Sequence, residues 1–451
     1  MIIKNRKELL SHGYKKGRRV ALDIAEHAIK AVDAYDATKK RVHVENRKLI
    51  VGELSYDLSK VGNIYLIGGG KATFSIAQAL DEILGEQIKR GIVNVKRSQK
   101  RRLRNIEVTE AGHPIPDERG MEGAKEMIRI AKDAKHGDLV FCAVTGGASA
   151  LVPLPAGNIS LEDKKRVTGL LLRCGATIDE INAVRKHISA IKGGRLAKLI
   201  HPAETINLIV IDEIAGCPWG PTLPDTTTFE EAINVLKKYN LWGKVPASVR
   251  EHLKRGSMDP RLETPKPRDL EGFSIHNVVL ADNEIMCEAA RKRAEELGFK
   301  SLILSTVLEG ESKEVGIVLA SIAKEVKKKG RFIKPPCVLI LGGETTVTIA
   351  GRYGKGGPSQ ELVLGASLQI AGSKGIVITS IDTDGTDGPT EIAGGITDGS
   401  TLKRAREKGL DVFESLIKHN SSEVLMKLGD AIITRPTGTN VMDLNIMVIT
   451  S

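Results

Sequence analysis

Three aspartates lie within six positions, directly after an apolar segment. They are Asp382, Asp384 and Asp387, and the preceding residues 375–380 read Gly-Ile-Val-Ile-Thr-Ser. Carboxylates this close repel one another unless water or a cation such as Mg²⁺ neutralises them. An EF-hand loop is excluded because its twelfth position is Ala393. The alternative is an Asp/Gly-rich surface turn. We predict that the three aspartates bind a metal ion.

A run of three glycines and a lysine follows a second apolar segment, residues 63–67. A strand, a Gly-rich turn and a helix in this order point backbone N–H groups and the helix dipole at a phosphate. The run is neither a Walker A loop nor a dinucleotide fingerprint, whose third glycine would fall at Thr73. A plain tight turn is the alternative. The predicted phosphate-binding residues are Gly68, Gly69, Gly70 and Lys71.

The same pattern returns after the apolar segment 138–144. Hydroxyl side chains there flank a flexible backbone, which suits an anion or a substrate oxygen, although such turns are also common without function. The predicted binding residues of this second turn are Thr145, Gly146, Gly147 and Ser149.

A basic cluster occupies residues 185–195. Helical spacing would place at least two of its cations on one face, and a guanidinium suits bidentate capture of a carboxylate or phosphate. A solvated basic helix is the alternative. The candidates are Arg185, Lys192 and Arg195.

Further candidates follow other predicted strands. Asp212 ends the apolar segment 206–211, and Glu344 ends another apolar strand. Asp225 is interpreted as a helix cap, and His113, in a Pro-rich turn, as structural. A nest-like turn suited to an anion contains Thr437, Gly438, Thr439 and Asn440.

The whole chain has the composition of a globular enzyme. Its 451 residues are 41% hydrophobic and carry a net charge of +11, which suits anionic partners. No signal peptide or membrane span is recognised, and five widely spaced cysteines fit reduced thiols, so we expect a cytoplasmic protein. The basic run 96–104 is the best indication of nucleic-acid binding, but without an RNA-binding motif a solvated loop is favoured.

Helix and strand patterns alternate throughout, which predicts an α/β architecture. Strands ending in Gly or Asp suggest one sheet with its loops gathered at one edge. Periodicity is lost between residues 244 and 271, where four prolines fall, and we interpret this stretch as the interdomain connection. The predicted domains are 1–255 and 256–451, and a strand pair is expected near 336–350.

Taken in order, these segments resemble the two-domain glycerate 2-kinases of the MOFRL type, from about residue 20 to the C-terminus. Ten segments in the right order are far more specific than any one of them. The matching segments are 68–72, 112–118, 145–151, 176–182, 184–188, 191–197, 224–229, 342–346, 384–390 and 436–440.

The resemblance implies phosphorylation of D-glycerate at its 2-hydroxyl with ATP and Mg²⁺. It also implies a larger Rossmann-like N-terminal domain with a parallel sheet, a smaller α/β C-terminal domain and an active site in the cleft between them. Lys71 would match the family's phosphate-contacting lysine. We expect Arg185, Lys192 or Arg195 on the glycerate carboxylate, no nucleic-acid or membrane partner, and a homodimer as the candidate assembly. A hydroxy-acid oxidoreductase and a nucleic-acid-binding protein remain as alternatives.

Two positions depart from the family pattern. Where the family shows Gly-Gly-Arg-Asn-Gln-Glu, this chain has Pro358 and Ser359 in place of Arg-Asn, so Arg352 or Lys355 would have to supply the cation. The acidic residue after segment 206–211 also has an uncertain register, which leaves Asp212 and Glu213 as alternatives.

Overall fold

The computed structural model describes residues 1–96, 102–211, 220–349, 351 and 353–450. Within these ranges, no helix is long and apolar enough to cross a lipid bilayer. The strands are β1 (Val42–Glu45), β2 (Lys48–Val51), β3 (Leu54–Asp57), β4 (Ile64–Gly69), β5 (Ile88–Lys96), β6 (Ile106–Ala111), β7 (Leu139–Val144), β8 (Glu204–Val210), β9 (Ile275–Ala281), β10 (Lys300–Leu308), β11 (Cys337–Gly343), β12 (Ile376–Asp382), β13 (Gly394–Asp398), β14 (Ala431–Ile432) and β15 (Asp443–Ile449).

The helices between these strands range from one turn to five. They are α1 (Arg6–Leu9), α2 (Lys15–Ala31), α3 (Ala34–Arg41), α4 (Thr73–Leu84), α5 (Glu118–Asp133), α6 (Ala148–Leu151), α7 (Leu161–Arg173), α8 (Ile178–His187), α9 (Arg195–Ile200), α10 (Phe229–Lys238), α11 (Ala247–Met258), α12 (Asn283–Glu296), α13 (Ser312–Lys329), α14 (Pro358–Ile370), α15 (Thr401–Glu407), α16 (Val412–Ile417) and α17 (Ser421–Leu428).

The chain divides into two compact units. Unit 1 contains Met1–Ala37 and Ala281–Ser451, and unit 2 contains Thr38–Val210 and Pro218–Leu280. The predicted boundary after residue 255 therefore falls inside unit 2, and the first 37 residues join the unit that holds the C-terminus. The physical reason is burial: an amphipathic N-terminal helix covers strands that come from the C-terminal half of the sequence.

The main sheet of unit 2 has the strand order β6-β5-β4-β7-β8-β9. The pairs from β6 to β8 are parallel. Strand β9 also runs parallel to β8. The Thr205 N–H donates to the Ser274 C=O, and further along both strands the Ile211 N–H donates to the Ala281 C=O. Counted from β4, the order is 3-2-1-4-5-6, that of a dinucleotide-binding Rossmann sheet. The topological switch point lies between β4 and β7, where such sheets bind ligands. An antiparallel sheet, β1-β2-β3, accompanies it.

Unit 1 is built on a mixed sheet with the order β10-β11-β15-β12-β13-β14. Only β10 and β11 pair in parallel; the remaining pairs are antiparallel. Strands β11 and β15 are buried along their whole length, which explains their continuous apolar sequences. Helices α13 and α14 share one core with alternate residues of these strands, and α2 and α12 pack on the sheet as well.

A buried arginine ties the N-terminal segment to this sheet. Arg18, on α2, is fully buried; its Nε lies 2.5 Å from Asp398 Oδ2 and its Nη1 lies 2.7 Å from Asp430 Oδ1. Arg404 completes the network with a 2.6 Å contact to Asp430. Burial raises the pKa of Asp398, but the Arg18 charge together with hydrogen bonds from Ser400 and the Tyr14 N–H outweighs it and holds that pKa at about 2. Breaking such a buried pair from one side typically costs about 3–5 kcal/mol.

Two expectations about elements are wrong. The predicted strand pair near 336–350 is a single strand, β11, because its neighbours β10 and β15 come from elsewhere in the sequence. The Pro-rich stretch 244–271 is not an interdomain connection: α11 lies within it, and Val249 and Leu253 pack into the unit 2 core beside Phe229.

Close packing of α13 against α14 gives a test of the unit 1 core. A Cβ added at Gly316 would lie 2.0 Å from the Leu362 carbonyl oxygen, whereas one added at Gly169 in α7 would meet no atom within 4 Å. We expect Gly316→Ala to destabilise the protein by about 1–3 kcal/mol through overpacking. Gly169→Ala, the matched control, should stabilise it by about 0.5–1 kcal/mol because alanine is the better helix former. Calorimetric unfolding of both variants tests this; a stable Gly316→Ala protein would contradict the packing.

Candidate active site

The two Gly-rich turns of unit 2 meet at the switch point of the sheet. Gly70 has a φ of 151°, and a Cβ there would lie 2.0 Å from Thr145 Oγ1, so only glycine fits. The Lys71 N–H donates to the Gly146 carbonyl over 2.8 Å. The first and second predicted anion-binding turns therefore form one surface at the carboxyl ends of β4 and β7.

Thr145 holds the start of α4 in place through side-chain hydrogen bonds. Its Oγ1 accepts the Ala72 N–H at 3.1 Å and lies 3.3 Å from Thr73 Oγ1, and Thr145 is fully buried. Helix α4 begins at Thr73, so Lys71 precedes the helix instead of occupying its first turn. Thr145 thus fixes the phosphate-binding turn, whereas the partly exposed Lys71 can contact a ligand.

His113 and Lys71 both lie close to Gly147. Gly147 has a φ of 84°, and a Cβ there would lie 3.0 Å from the His113 ring and 3.3 Å from Lys71 Cγ. His113, interpreted from the sequence as structural, therefore lies beside the candidate phosphate-binding lysine. The Gly-His-Pro-Ile-Pro segment was its only sequence signal.

Lys192, another predicted binding residue, contacts the C-terminal end of the 145–149 turn. Lys192 Nζ donates to Ser149 Oγ at 2.7 Å. Ser189 Oγ accepts the N–H groups of Ile191 and Lys192, each at 3.4 Å, and so shapes the loop that carries Lys192. Lys71, Ser149 and Lys192 are therefore all connected to the 145–149 turn.

Sequence reasoning missed a buried lysine next to this loop. Lys164, on α7, is 5% exposed, and its Nζ donates to the Leu154 carbonyl at 3.3 Å. Burial, followed by the charges of Lys192 and Arg185, lowers the pKa of Lys164 to about 7. Burial also lowers the pKa of Arg185. The structure thus brings Arg185 and Lys192 together around a cation that no motif marks.

Arg195 faces away from this group of cations. Its Nη2 and Nη1 donate to the carbonyls of Leu262 and Glu263, at 2.9 and 3.3 Å. This guanidinium supports the polypeptide near residue 262, and its predicted contact with substrate is not what the geometry favours. The interpretation of Asp225 as a helix cap is wrong, because Thr228 is the N-cap of α10. Asp225, fully buried, instead accepts the Thr227 N–H and Oγ1–H and pairs with Lys186 at 3.1 Å.

Unit 1 gathers carboxylates at one edge of its sheet. Asp443, the first residue of β15, pairs in register with Gly343 of β11 and Asp382 of β12. Burial raises the pKa of Asp443 well above its usual value, and the charges of Asp382, Asp387, Glu344 and Asp384 raise it further. Asp443 begins an apolar strand three residues after the nest-like turn, and no motif in the sequence marks it.

The three predicted metal ligands have different surroundings. Asp384 Oδ1 accepts the N–H and Oγ1–H of Thr386, and Asp382 Oδ1 accepts the Asp384 N–H at 2.9 Å. Asp387 instead caps α14: its two oxygens accept the N–H groups of Ser359 and Gln360, at 3.1 and 2.9 Å. Burial raises the pKa of Asp387 to about 7. Its oxygens face a helix end, so a structural role fits Asp387 better than metal binding.

The described residues do not form a complete metal-binding site by themselves. Among the residues that the structure describes, no three His, Cys, Asp or Glu side chains could hold a metal ion together. A buried carboxylate facing four others nevertheless fits a cation that arrives with its own oxygen ligands. Mg²⁺ behaves in this way, since it binds through one or two carboxylates plus waters and substrate phosphates.

The nest-like turn of unit 1 borders the carboxylates. The Thr437 N–H donates to the Asp384 carbonyl at 3.2 Å, and Gly438 has a φ of 86°. Thr439 Oγ1 is buried and makes no hydrogen bond with the described residues, which leaves it available for a ligand. Asn440, also predicted to bind ligand, is 8% exposed.

The family arginine position lies at the start of α14. Pro358 is the first residue of this helix, where its fixed φ is favourable, and Ser359 Oγ lies 2.7 Å from Ser380 Oγ. Lys355 is exposed, and its N–H donates to Asn420 Oδ1. Four positions considered from the sequence lie outside the described residues: Asp212, Glu213, Arg352 and the part 97–101 of the basic run.

Asp443 provides a test of the carboxylate cluster. Its folded-state pKa is raised, so its charged form destabilises the folded protein at pH values above its unfolded pKa, and protonation relieves this as the pH falls. We expect Asp443→Asn to raise the Tm at pH 8, and to raise it less at pH 5, in buffer containing EDTA. Glu391→Gln, which removes an exposed carboxylate of the same unit, is the control and should leave the Tm unchanged. Equal effects of Asp443→Asn at both pH values would contradict the cluster.

Comparison with known proteins agrees with this architecture. Residues 20–254 match the family described as "Domain of unknown function (DUF4147)", and residues 337–443 match the MOFRL family. A protein of Pyrococcus horikoshii named glycerate 2-kinase is 46% identical, over 96% of this chain and 98% of its own length. A protein of Agrobacterium vitis named putative hydroxypyruvate reductase is 37% identical, over 86% of this chain and 87% of its own.

A solved structure extends the likeness to three dimensions. The crystal structure of a glycerate kinase from Thermotoga maritima superposes with a TM-score of 0.82 at 36% identity, covering 96% of this chain and 99% of that one. The matching families, the full-length similarity and the shared two-domain fold lead to one assignment. The chain belongs to the two-domain DUF4147–MOFRL family, the family of MOFRL-type glycerate kinases that its motifs resemble.

Proposed function

We propose that this protein is a glycerate 2-kinase, which transfers the terminal phosphoryl group of ATP to the 2-hydroxyl of D-glycerate. The observation that carries the proposal is that Lys71 and Lys192 both contact the 145–149 turn at the switch point of unit 2. Phosphoryl transfer requires positioning and charge neutralisation more than a nucleophilic side chain, and this group supplies both. The names of the relatives support the same reaction.

The cations of unit 2 divide between the two anionic groups of the reaction. Lys71, on the Gly68–Gly70 turn, would hold the transferring phosphate, with N–H groups of the 146–147 backbone beside it. Arg185 and Lys192 would bind the glycerate carboxylate, and Ser149 would orient Lys192 through its 2.7 Å contact. Asp212, outside the described residues, remains our candidate for a carboxylate that accepts the hydroxyl proton.

The carboxylates of unit 1 suit the nucleotide. Asp382, Asp384, Glu344 and Asp443 would hold Mg²⁺ bound to ATP, and Thr437, Thr439 and Asn440 would contact its oxygens. When bound, Mg²⁺ would neutralise the charge of the phosphates. Burial and then the charges of the neighbouring carboxylates raise the pKa of Asp443, and a cation bound among them would relieve this repulsion.

The proposed substrates and the cysteines both favour a cytoplasmic location. ATP and a small organic acid are met in the cytoplasm, and the cysteines in the described part of the chain are unbridged. We therefore propose a cytoplasmic enzyme, with a homodimer as its candidate assembly and no role for nucleic acid.

The reaction is tested by offering ATP, Mg²⁺ and D-glycerate and coupling the product directly to enolase. Enolase accepts 2-phosphoglycerate but not the 3-isomer, so the assay reports the position of phosphorylation as well as the activity. We expect enolase signal without added mutase. ADP release without that signal would indicate a 3-kinase or another acceptor and would contradict the proposal.

The same preparation tests the rival reaction. A hydroxy-acid oxidoreductase would oxidise NADH or NADPH in the presence of hydroxypyruvate, as the name of the Agrobacterium vitis relative suggests. Thr73 occupies the third position of the dinucleotide fingerprint and is fully buried against Thr145 and the Ala143 carbonyl. We expect no nicotinamide oxidation above background.

Lys71 is the residue whose loss should affect chemistry most. In Lys71→Met the stem that packs beside Gly147 is kept and the charge is lost, so kcat should fall by about a hundredfold to a thousandfold with little change in Tm. Lys125→Met is the control, because Lys125 is an exposed lysine paired with Glu122 on α5. A kcat within a few-fold of the unaltered enzyme would remove Lys71 from the mechanism.

A further inference from the structure

Unit 1 contains a cavity of about 740 Å³ that is separate from the candidate active site. Gly375, which precedes β12, and Thr450, which follows β15, line this cavity. Asp382 and Asp443 lie at the opposite ends of the same two strands. The cavity therefore occupies the end of the sheet opposite the carboxylate cluster, and its volume falls within the range of about 300–1,000 Å³ typical of small-molecule sites.

Hydrogen bonds join the segments that form the cavity walls. These segments are 13–14, 371–375 and 398–407, together with Thr450. The Gly372 N–H donates to the Gly399 carbonyl, and the Thr450 N–H donates to the Gly375 carbonyl, each at 2.8 Å. Because the walls bond to one another, the cavity is a preformed part of the unit 1 fold.

Tyr14 gives the cavity a fixed aromatic surface. Its N–H donates to Asp398 Oδ2 at 3.0 Å, and its hydroxyl lies 3.0 Å from Thr450 Oγ1. A Cβ added at Gly17 would lie 2.7 Å from the Tyr14 ring, so the ring packs closely against α2. Leu402 also lines the cavity. The walls thus offer apolar surface as well as charge.

The two carboxylates that line the cavity already have partners. Asp398 Oδ2 lies 2.5 Å from Arg18 Nε, and Asp398 Oδ1 accepts the Ser400 N–H and Oγ–H at 2.9 and 2.6 Å. Glu407 Oε1 lies 3.8 Å from Lys403 Nζ. A cationic ligand would therefore find neither carboxylate free.

Two cations that line the cavity are not balanced in this way. Lys374 and Arg406 are exposed, and their side chains make no hydrogen bond or ion pair with any residue that the structure describes. Exposed cations are often merely solvated, but these two border a hydrogen-bonded cavity with an aromatic wall. Two uncompensated cations attract an anion, and a phosphate monoester, with a charge of about −1.5 to −2 at pH 7, matches them.

We propose that this cavity is a second small-molecule site, which binds a phosphate monoester with an apolar or planar body. Lys374 and Arg406 would bind the phosphate, Arg406 through two parallel hydrogen bonds. The Tyr14 ring and Leu402 would pack against the body of the ligand. No covalent bond changes, and the proposal does not depend on the proposed kinase reaction. The ligand would connect the segment before α2 with the turns that follow α14 and β13, and would thereby stabilise unit 1.

The test is titration calorimetry of phenyl phosphate into the full-length protein, with inorganic phosphate and benzoate as comparison probes. Phenyl phosphate has both the phosphate and the apolar ring, so we expect it to bind more tightly than either. It should also raise the Tm, because a ligand that binds only the folded state stabilises that state. Inorganic phosphate that binds equally well would overturn the role of the apolar body, and benzoate that binds equally well would overturn the choice of phosphate.

The double variant Lys374→Gln with Arg406→Gln removes both cations. Both side chains are exposed, so the Tm without ligand should stay nearly unchanged. The affinity for phenyl phosphate should fall about tenfold to a hundredfold, the effect of losing a charged hydrogen bond. The matched control is Lys328→Gln with Lys334→Gln, which removes two exposed cations of the same unit that do not line the cavity. This control should retain the full affinity.

Lys71→Met separates this cavity from the phosphate-binding turns of unit 2. It should bind phenyl phosphate as tightly as the unaltered protein does. Absence of binding to the unaltered protein, loss of binding in Lys71→Met, or equal affinity of the double variant and its control would each overturn the proposal. Because binding is measured directly, a failure of the kinase assay would leave this test unaffected.

Discussion

The buried contacts of Arg18 with Asp398 and Asp430 hold the two ends of the chain in one unit. Helix α2 contributes the arginine, and strands and turns more than 370 residues later contribute the carboxylates. Unit 2 is therefore an insertion within unit 1 along the chain. The sheet of unit 1 buries one side beneath α2 and α12, so it requires the N-terminal segment before its core is complete. A boundary drawn only from local composition cannot show this, because the contact joins residues distant in sequence.

The same sheet carries two different groups of buried charge. Asp398 lies at one end of β13, where Arg18 holds its pKa low. Gly394, at the other end of β13, pairs with Ile381, next to the carboxylates Asp382 and Asp443. At the first end every buried charge has an opposite partner, which is how proteins stabilise buried ions. At the second end several carboxylates lie near one another and, with burial, raise the pKa of Asp443, a perturbation that is typical of functional sites.

The charged candidate residues fall into two classes according to what surrounds them. Arg195 and Asp387 satisfy backbone groups and thereby support the polypeptide. Lys164 is buried and its pKa is lowered further by the charges of Lys192 and Arg185, just as Asp443 is buried beside other carboxylates that raise its pKa. Residue type and spacing could not separate these two classes, since Arg195 in Gly-Gly-Arg has as strong a sequence signal as Arg185. The partner of each charge, which only the fold reveals, makes the difference.

The sequence predicted the positioning elements better than the complete site. Strand, Gly-rich turn and helix are local patterns, so β4 with α4 and β7 with its turn were recognised correctly. Lys164 and Asp443 were missed for a physical reason: one lies on an amphipathic helix and the other begins an apolar strand, where neither spacing nor composition is unusual. Their importance arises from neighbours on other elements. Strand order, which places both turns at the switch point, is likewise a property of the folded chain.

The proline at position 358 explains why the cations of unit 2 carry so much of the proposed chemistry. The family pattern that this sequence resembles has an arginine at this position. Here Pro358 favours the helix start, and Asp387 accepts the first N–H groups of α14. In the proposed reaction, Lys71 and Mg²⁺ would then balance most of the charge that develops on the transferring phosphoryl group. Lys71 is therefore the position at which a substitution tests the proposed mechanism most directly.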